Sequence, residues 1–205
     1  HQHFKDIINS GTPIVMFDRV AETVNCDKVI VDDFESSFEA TQHLLKLGSK
    51  NIALVSTIDN LSVGKLRVGG FKKAMEASNL SLNNQLIVIE NDIELFDNKL
   101  IELFNTKKVD AVFALDEHAS TMAMKFALKK GIKIPEELNI IGFADGVWSR
   151  RLTPSLSTVS QHAPEIGAKA AELLIHKLNS KDEFYQPQTV VIKTELRQRE
   201  STRKL

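Results

Sequence analysis

The feature that most constrains this chain is its rhythm. Short runs of β-branched and aliphatic residues alternate with longer stretches patterned at the helical period. That alternation is the mark of βαβ units around a parallel sheet. Strands are expected at 14–17, 28–31, 51–56, 86–90, 111–115, 139–143 and 189–194. Their brevity and composition favour strands covered on both faces. Between them, "ESSFEATQHLLKLGS" places Phe38, Thr41 and Leu45 on one helix face and stops at Gly48, where a left-handed C-terminal residue fits. "LSVGKLRVGGFKKAMEAS" puts Val63, Leu66, Gly70, Phe71, Ala74 and Met75 on one stripe, with Ser62 as a candidate N-cap. Further helical faces gather Phe96, Leu100, Leu103 and Phe104, then Ala119, Met122, Ala123 and Phe126, then Ile166, Ala170, Leu173 and Leu174. The expected fold class is α/β.

Composition narrows the function. Lys plus Arg number 26 and Asp plus Glu 27, a net charge of -1, so the chain lacks the basic excess of a nucleic-acid-binding surface. The basic end, "RQRESTRKL", reads as a solvated tail. One cysteine, Cys26, excludes an internal disulfide and fits a reducing compartment. No apolar run reaches the roughly 20 residues of a membrane span, so no membrane association is expected. The start, "HQHFKDIINSGTPIVMFD", enters on an amphipathic segment and a strand without an initiator methionine, and the chain is expected to begin inside a domain. Catalytic signatures are missing. "GKLRVGG" lacks the Gly-Lys-Ser/Thr ending of a phosphate loop, and neither G-x-S-x-G, G-x-G-x-x-G nor H-E-x-x-H occurs. The histidines do not cluster at ligand spacing except His1 and His3, so neither a metal nor a cofactor is expected.

Open α/β sheets bind ligands beyond the carboxyl ends of their strands. Those ends carry Asp18-Arg19, "TIDNLSVGKLR", Asp116-Glu117-His118 and "ADGVWSRR". Arg67 borders an apolar helical stripe near the helix start. Its spacing fits equally a guanidinium aimed at the sheet mouth and one lying along the surface with its head in water. Asp116 directly precedes a helix and is first of all a cap. Asp18 reads as a turn residue before it reads as a hydroxyl acceptor. Trp148, beyond Gly142 and Gly146, fits either a cover for a core edge or an aromatic platform for a sugar ring. Phe143 continues an apolar strand and reads as core.

These residues also carry a resemblance. "GTPIVMFDR", "VDDFESSFEATQHLLKLGSKNIALVS", "RVGGFKKAM", "VDAVFALDEHASTMAMKFALKKGIKIPEELNIIGFAD", "TPSLSTVSQHAPEIGAKAAELLI" and "TELRQREST" together resemble the effector-binding core of the lactose-repressor (LacI/GalR) family of bacterial transcription regulators. The resemblance implies a type I periplasmic-binding-protein-like fold of two Rossmann-like subdomains joined by hinge crossings. On that template 1–31 and 161–188 form a partial N-terminal subdomain, 32–160 and 189–198 the C-terminal one, and 199–205 a tail. It implies effector contacts at Asp18, Arg67, Leu115, Asp116, Ala144, Asp145 and Gln161, to which the loop position adds Trp148. Leu115 and Ala144 depart from the family pattern, which often has an amide at the first position and a carboxylate at the second.

The implied partners are a small-molecule effector, taken as a carbohydrate, a second copy in a homodimer, and operator DNA through a headpiece outside this chain. The implied location is the cytoplasm, and no chemical step is implied. Two competing readings are a periplasmic-type sugar-binding protein of the same architecture and an enzyme using Asp116, His118 and Asp145 as an acid–base cluster.

Overall fold

The computed structural model describes residues 1–58, 60–80, 82–143, 146–180 and 185–204. In chain order the elements are α1 (Gln2–Asn9), β1 (Val15–Phe17), β2 (Asp27–Val31), α2 (Asp33–Lys46), β3 (Ile52–Ser56), α3 (Ser62–Ala77), β4 (Ile87–Ile89) and α4 (Ile93–Thr106). There follow β5 (Ala111–Ala114), α5 (Glu117–Lys129), β6 (Asn139–Gly142), α6 (Val147–Arg151), β7 (Ser157–Ser160), α7 (Ala163–Asn179), β8 (Thr189–Ile192) and β9 (Glu195–Arg197). They divide into two units, His1–Asp32 with Gln161–Lys193, and Asp33–Ser160 with Thr194–Leu205. The fold class is α/β, as the rhythm of the sequence predicts.

The second unit is built on a sheet in the order β4-β3-β5-β6-β7-β9. All neighbours are parallel except β7 and β9. Because successive side chains of a strand point to opposite faces, each apolar strand feeds two cores. Ala53, Val55, Val112, Ala114 and Ile140 pack with Phe96, Leu100, Met122 and Ala123 from α4 and α5. Ile52, Leu54, Ala111, Phe113 and Ile141 pack with Ala40, Leu44, Phe71 and Met75 from α2 and α3. The connection that leaves β3 runs outward in one direction, through α3 to β4, and the one that leaves β5 runs in the other, through α5 to β6. The gap between the carboxyl ends of β3 and β5 is therefore the topological switch point, where such sheets take ligands.

The face that α2 turns inward is mostly small and polar: Ser36, Ser37, Ala40 and Thr41 are buried on it, and Leu44 is its one large apolar residue. Of the expected stripe Phe38, Thr41 and Leu45, only Thr41 is fully buried. The reason is the partner helix. A Cβ on Gly70 of α3 would lie 2.8 Å from Ser37 Cβ and 2.9 Å from the Phe38 nitrogen. The two helices approach too closely for large side chains at that contact. On α3 the expected order of two neighbours is exchanged, with Leu66 44% exposed and Arg67 3% exposed.

The first unit is a smaller parallel sheet in the order β1-β2-β8. Val29, Val31 and Ile192 pack on Ile166, Ala170 and Leu173 of α7. The buried Asp27 carboxylate ties the sheet's start to its last strand, accepting from Tyr185 Oη at 2.8 Å and from the Gln188 N–H at 2.9 Å.

Two expectations need correction. The run 189–194 is divided: β8 pairs with β2 in the first unit, and the chain joins the second unit only from Thr194, where β9 pairs with β7. A β-branched run announces a strand without naming its neighbour. The basic end is not a simple solvated tail either. Ser201 and Thr202 are buried; the Ser201 hydroxyl donates to the Ile140 carbonyl at 2.6 Å and accepts from the Ser157 N–H at 2.8 Å. Hydroxyls that complete buried backbone partners hold this segment against β6 and β7, whatever the charge of its neighbours.

Candidate functional site

The carboxyl ends of β3, β5 and β6 bring Arg67, Leu115, Asp116 and Phe143 together. Arg67 enters from α3, whose own backbone is fixed here because Ser37 Oγ donates to the Arg67 carbonyl at 2.5 Å. Arg67 Nε donates to Asp33 Oδ1 at 2.7 Å, and the two side chains are 4% and 2% exposed. Nη1 donates to the Leu115 carbonyl, also at 2.7 Å. The guanidinium carbon sits 3.9 Å from the centre of the Phe143 ring, a cation–π stack that supports one flat side. Of the two readings of Arg67 open from spacing, the structure has the one aimed into the sheet mouth.

Asp116 is the N-cap of α5. Its Oδ1 accepts from the Ala119 N–H at 2.8 Å. Its Oδ2 accepts from the Thr57 N–H at 2.7 Å, just beyond β3. One carboxylate thus staples both sides of the switch point. This limits what it can do as an acid or base, because both oxygens already hold backbone donors, though each keeps a further lone pair for a ligand hydroxyl. Leu115 contributes its carbonyl to this arrangement, while its side chain is buried in the core.

Trp148 belongs to the short helix α6 rather than a loop, and is 69% exposed. The start of α6 lies against α5, since a Cβ on Gly146 would sit 2.6 Å from Glu117 Oε1. Ala144 and Asp145 lie outside the described residues. His118 pairs with Asp97 at 3.2 Å, on the first turns of α5 and α4. Asp18 and Gln161 belong to the first unit. Asp18 follows β1 with φ 56, in the left-handed region that Asp and Asn tolerate best, 3.9 Å from Arg19 Nε. Gln161 is half-buried just after β7. No group of three or more His, Cys, Asp or Glu able to hold a metal occurs among the described residues.

Sequence reading missed two partners, Asp33 and the face of Phe143. The doubled acid of "VDDF" at a strand-to-helix turn was the available signal for the first. The second had none, because an aromatic ring that continues an apolar strand is core by every local rule.

Comparison with known proteins adds the following. A family model described as periplasmic binding protein-like domain matches residues 41–202. The chain is 31% identical over 201 residues to the HTH-type transcriptional repressor PurR of Actinobacillus pleuropneumoniae serotype 3 (strain JL03), covering 96% of this chain and 59% of that protein. It is 31% identical over 166 residues to the HTH-type transcriptional regulator DegA of Bacillus subtilis (strain 168), covering 80% of this chain and 49% of that protein. It spans only part of these relatives' length. Among solved structures it is similar to the transcriptional regulator CelR–cellobiose complex, with TM-score 0.85 and 24% identity over 95% of this chain and 60% of that one. It is also similar to a LacI family transcriptional regulator from Enterococcus faecium with bound ribose, with TM-score 0.87 and 23% identity over 98% of this chain and 74% of that one. At these identities the structural likeness speaks for the fold.

Proposed function

The chain belongs to the LacI family of transcriptional regulators, carrying its periplasmic-binding-protein-like effector core, and from that premise we propose that it senses a small sugar or related metabolite and passes the signal to operator DNA. The observation that carries the proposal is the mouth of the β4-β3-β5-β6 sheet. There Arg67 is held in place by Asp33, Leu115 and Phe143, and Asp116 staples the switch point. A fixed donor beside a fixed acceptor is the arrangement a hydroxyl-rich ligand needs. Asp18, Gln161, Trp148, Ala144 and Asp145 belong to the same proposal as further contacts. The neighbours solved with cellobiose and ribose indicate what ligands this fold accommodates.

In the proposed mechanism the effector contacts both units and favours one of their arrangements, by no more than its difference in affinity between them. In a homodimer that shift reorients paired headpieces and changes operator affinity, with a two-fold protein matching a two-fold site. The protein acts in the cytoplasm and performs no turnover. That the relatives are HTH-type transcriptional regulators favours this reading over a stand-alone sugar-binding protein.

The test uses the full-length regulator in a thermal-shift screen of neutral sugars, with operator binding by fluorescence anisotropy. The expected result is a sugar that raises the melting temperature in a saturable way and changes operator affinity. Stabilisation with no effect on operator affinity would refute the regulatory mechanism; no stabilisation by any sugar would refute the carbohydrate assignment.

A further inference from the structure

We propose that Asp33 sets the charge of the effector this site accepts. By pairing with Arg67 it makes the strand mouth select uncharged, hydroxyl-bearing molecules over phosphorylated or carboxylated ones. The inference rests on the reading of that mouth as the effector site.

An unpaired guanidinium fixed at the mouth of a sheet would be an anion receptor, because its planar fork matches carboxylate and phosphate two bonds at a time. Asp33 removes that property by charge and by geometry. The contact of 2.7 Å is between side chains 4% and 2% exposed, so little water screens it. An arriving anion meets the repulsion of Asp33 at nearly the range at which it meets the attraction of Arg67. The carboxylate of Asp116, 9% exposed at the same strand ends, adds to that repulsion. Asp33 also stands in the first turn of α2, where the helix N-terminus favours a carboxylate.

Geometry acts in the same direction. A guanidinium carries five N–H donors. Asp33 takes the one on Nε, and the Leu115 carbonyl takes one on Nη1. A ligand therefore cannot use the Nε edge of the fork. The donors left, chiefly those on Nη2, have no protein acceptor among the described residues. Three donors thus remain, one on Nη1 and two on Nη2, and they can serve hydroxyl oxygens that bring no charge of their own. Asp33 is thus a positioning residue that acts on ligands through Arg67, and breaking a buried pair of this kind exposes the cation it had neutralised.

The experiment uses inorganic phosphate as the probe, so that it does not depend on knowing the effector. The full-length protein is titrated with phosphate at constant ionic strength, and the melting temperature is read. Wild type is expected to show no saturable rise. Asp33→Asn, which keeps an oxygen for Arg67 Nε but no charge, is expected to gain one. Its phosphate affinity should exceed that of wild type by at least about tenfold, the effect of one weakly screened charge a few ångströms away. The double variant with Arg67→Gln should lose the gain, which a merely structural role for Asp33 would not produce. A saturable rise in wild type that disappears in Arg67→Gln would overturn the inference, as would a well-folded Asp33→Asn that ignores phosphate. Should Asp33→Asn not fold, the wild-type titration still decides. A wild type indifferent to phosphate and to every neutral sugar would refute the carbohydrate reading while leaving the charge inference standing.

Discussion

The two units of this chain hold their candidate residues in opposite ways. In the larger one, β3, β5 and β6 are buried along their length and covered by helices on both faces. The residues that emerge from their carboxyl ends are consequently fixed by interior bonds. Arg67 and Asp116 each make at least two, and neither is free to point elsewhere. In the smaller unit β8 is buried only at Ile192, and α7 leaves Ile175 and Leu178 58% and 63% exposed. There Asp18 and Gln161 stand on connections beside a thinner core. A side chain that completes the packing of its element is part of the stability of the fold; one that only decorates a turn is not. The difference predicts how substitutions divide between stability and binding.

The largest effect is expected at Arg67. Its replacement by Ala removes the partner of a buried carboxylate, which costs about 3–5 kcal/mol when such pairs are broken. Urea unfolding followed by Trp148, the sole tryptophan and a reporter of the larger unit, measures the loss. Effector affinity should fall in the same variant, so both quantities move. A loss below about 1 kcal/mol, the value of a surface pair, would show that the guanidinium is solvated and that the comparison between units fails.

How far this arrangement was legible in the sequence follows from the same contrast. The alternating apolar runs gave seven of the parallel strands, β1 to β6 and β8, and the faces of α4 and α5; in β3, β5 and β6 burial on both sides leaves a continuous apolar signal. Gly48 was legible as a helix stop and has φ 88. What stayed hidden was polar and buried. The strand Ser157–Ser160 is all buried yet has three hydroxyl residues, satisfied in part by Arg199 and Thr202. The exchange of Leu66 for Arg67 on the inner face of α3 runs against every hydropathy rule, and the Asp33 carboxylate, 34 positions away, makes it possible together with the Leu115 carbonyl and the Phe143 ring. Periodicity reports which face is apolar. It cannot report a charge that is buried because its partner arrives from another helix.

A milder effect separates the units by pH. His43 on α2 lies in the larger unit, where burial, reinforced by Lys46, pushes its pKa below the ordinary 6.5. Its Nε2 is sealed from solvent without a partner among the described residues. The neutral ring is therefore the form the fold prefers. Its contribution is complete above the ordinary pKa and is lost as pH falls. Cys26 in the smaller unit is the mirror case, since burial raises its thiol above the ordinary 9.0 despite Lys28. That contribution is complete below the ordinary value and fades as pH rises through it. Unfolding midpoints of His43→Gln against wild type across the acid range test the first half. The variant should lose less stability on acidification, and parallel curves would mean that His43 is already hydrated in the fold.

The smallest stability effect is expected at Asp18, and it sharpens the comparison most. Asp18 lies in the left-handed region with φ 56, and its side chain is 38% exposed. Asn adopts that conformation as readily as Asp does. The contact with Arg19 at 3.9 Å is a surface pair, worth at most about 1 kcal/mol. Asp18→Asn should therefore leave stability within about 0.5 kcal/mol of wild type, the ordinary range for substitutions at such positions. Under the proposed function it should still weaken effector binding, because a charge-assisted bond to a ligand hydroxyl becomes an ordinary one, a difference of about 1 kcal/mol. Calorimetry with the sugar found in the screen, set beside urea unfolding of the same variant, reads both quantities. Binding that falls while stability holds would mark Asp18 as a residue kept for the ligand alone. An equal loss of both would place it with Arg67, among side chains whose contact with a ligand is secondary to their place in the fold.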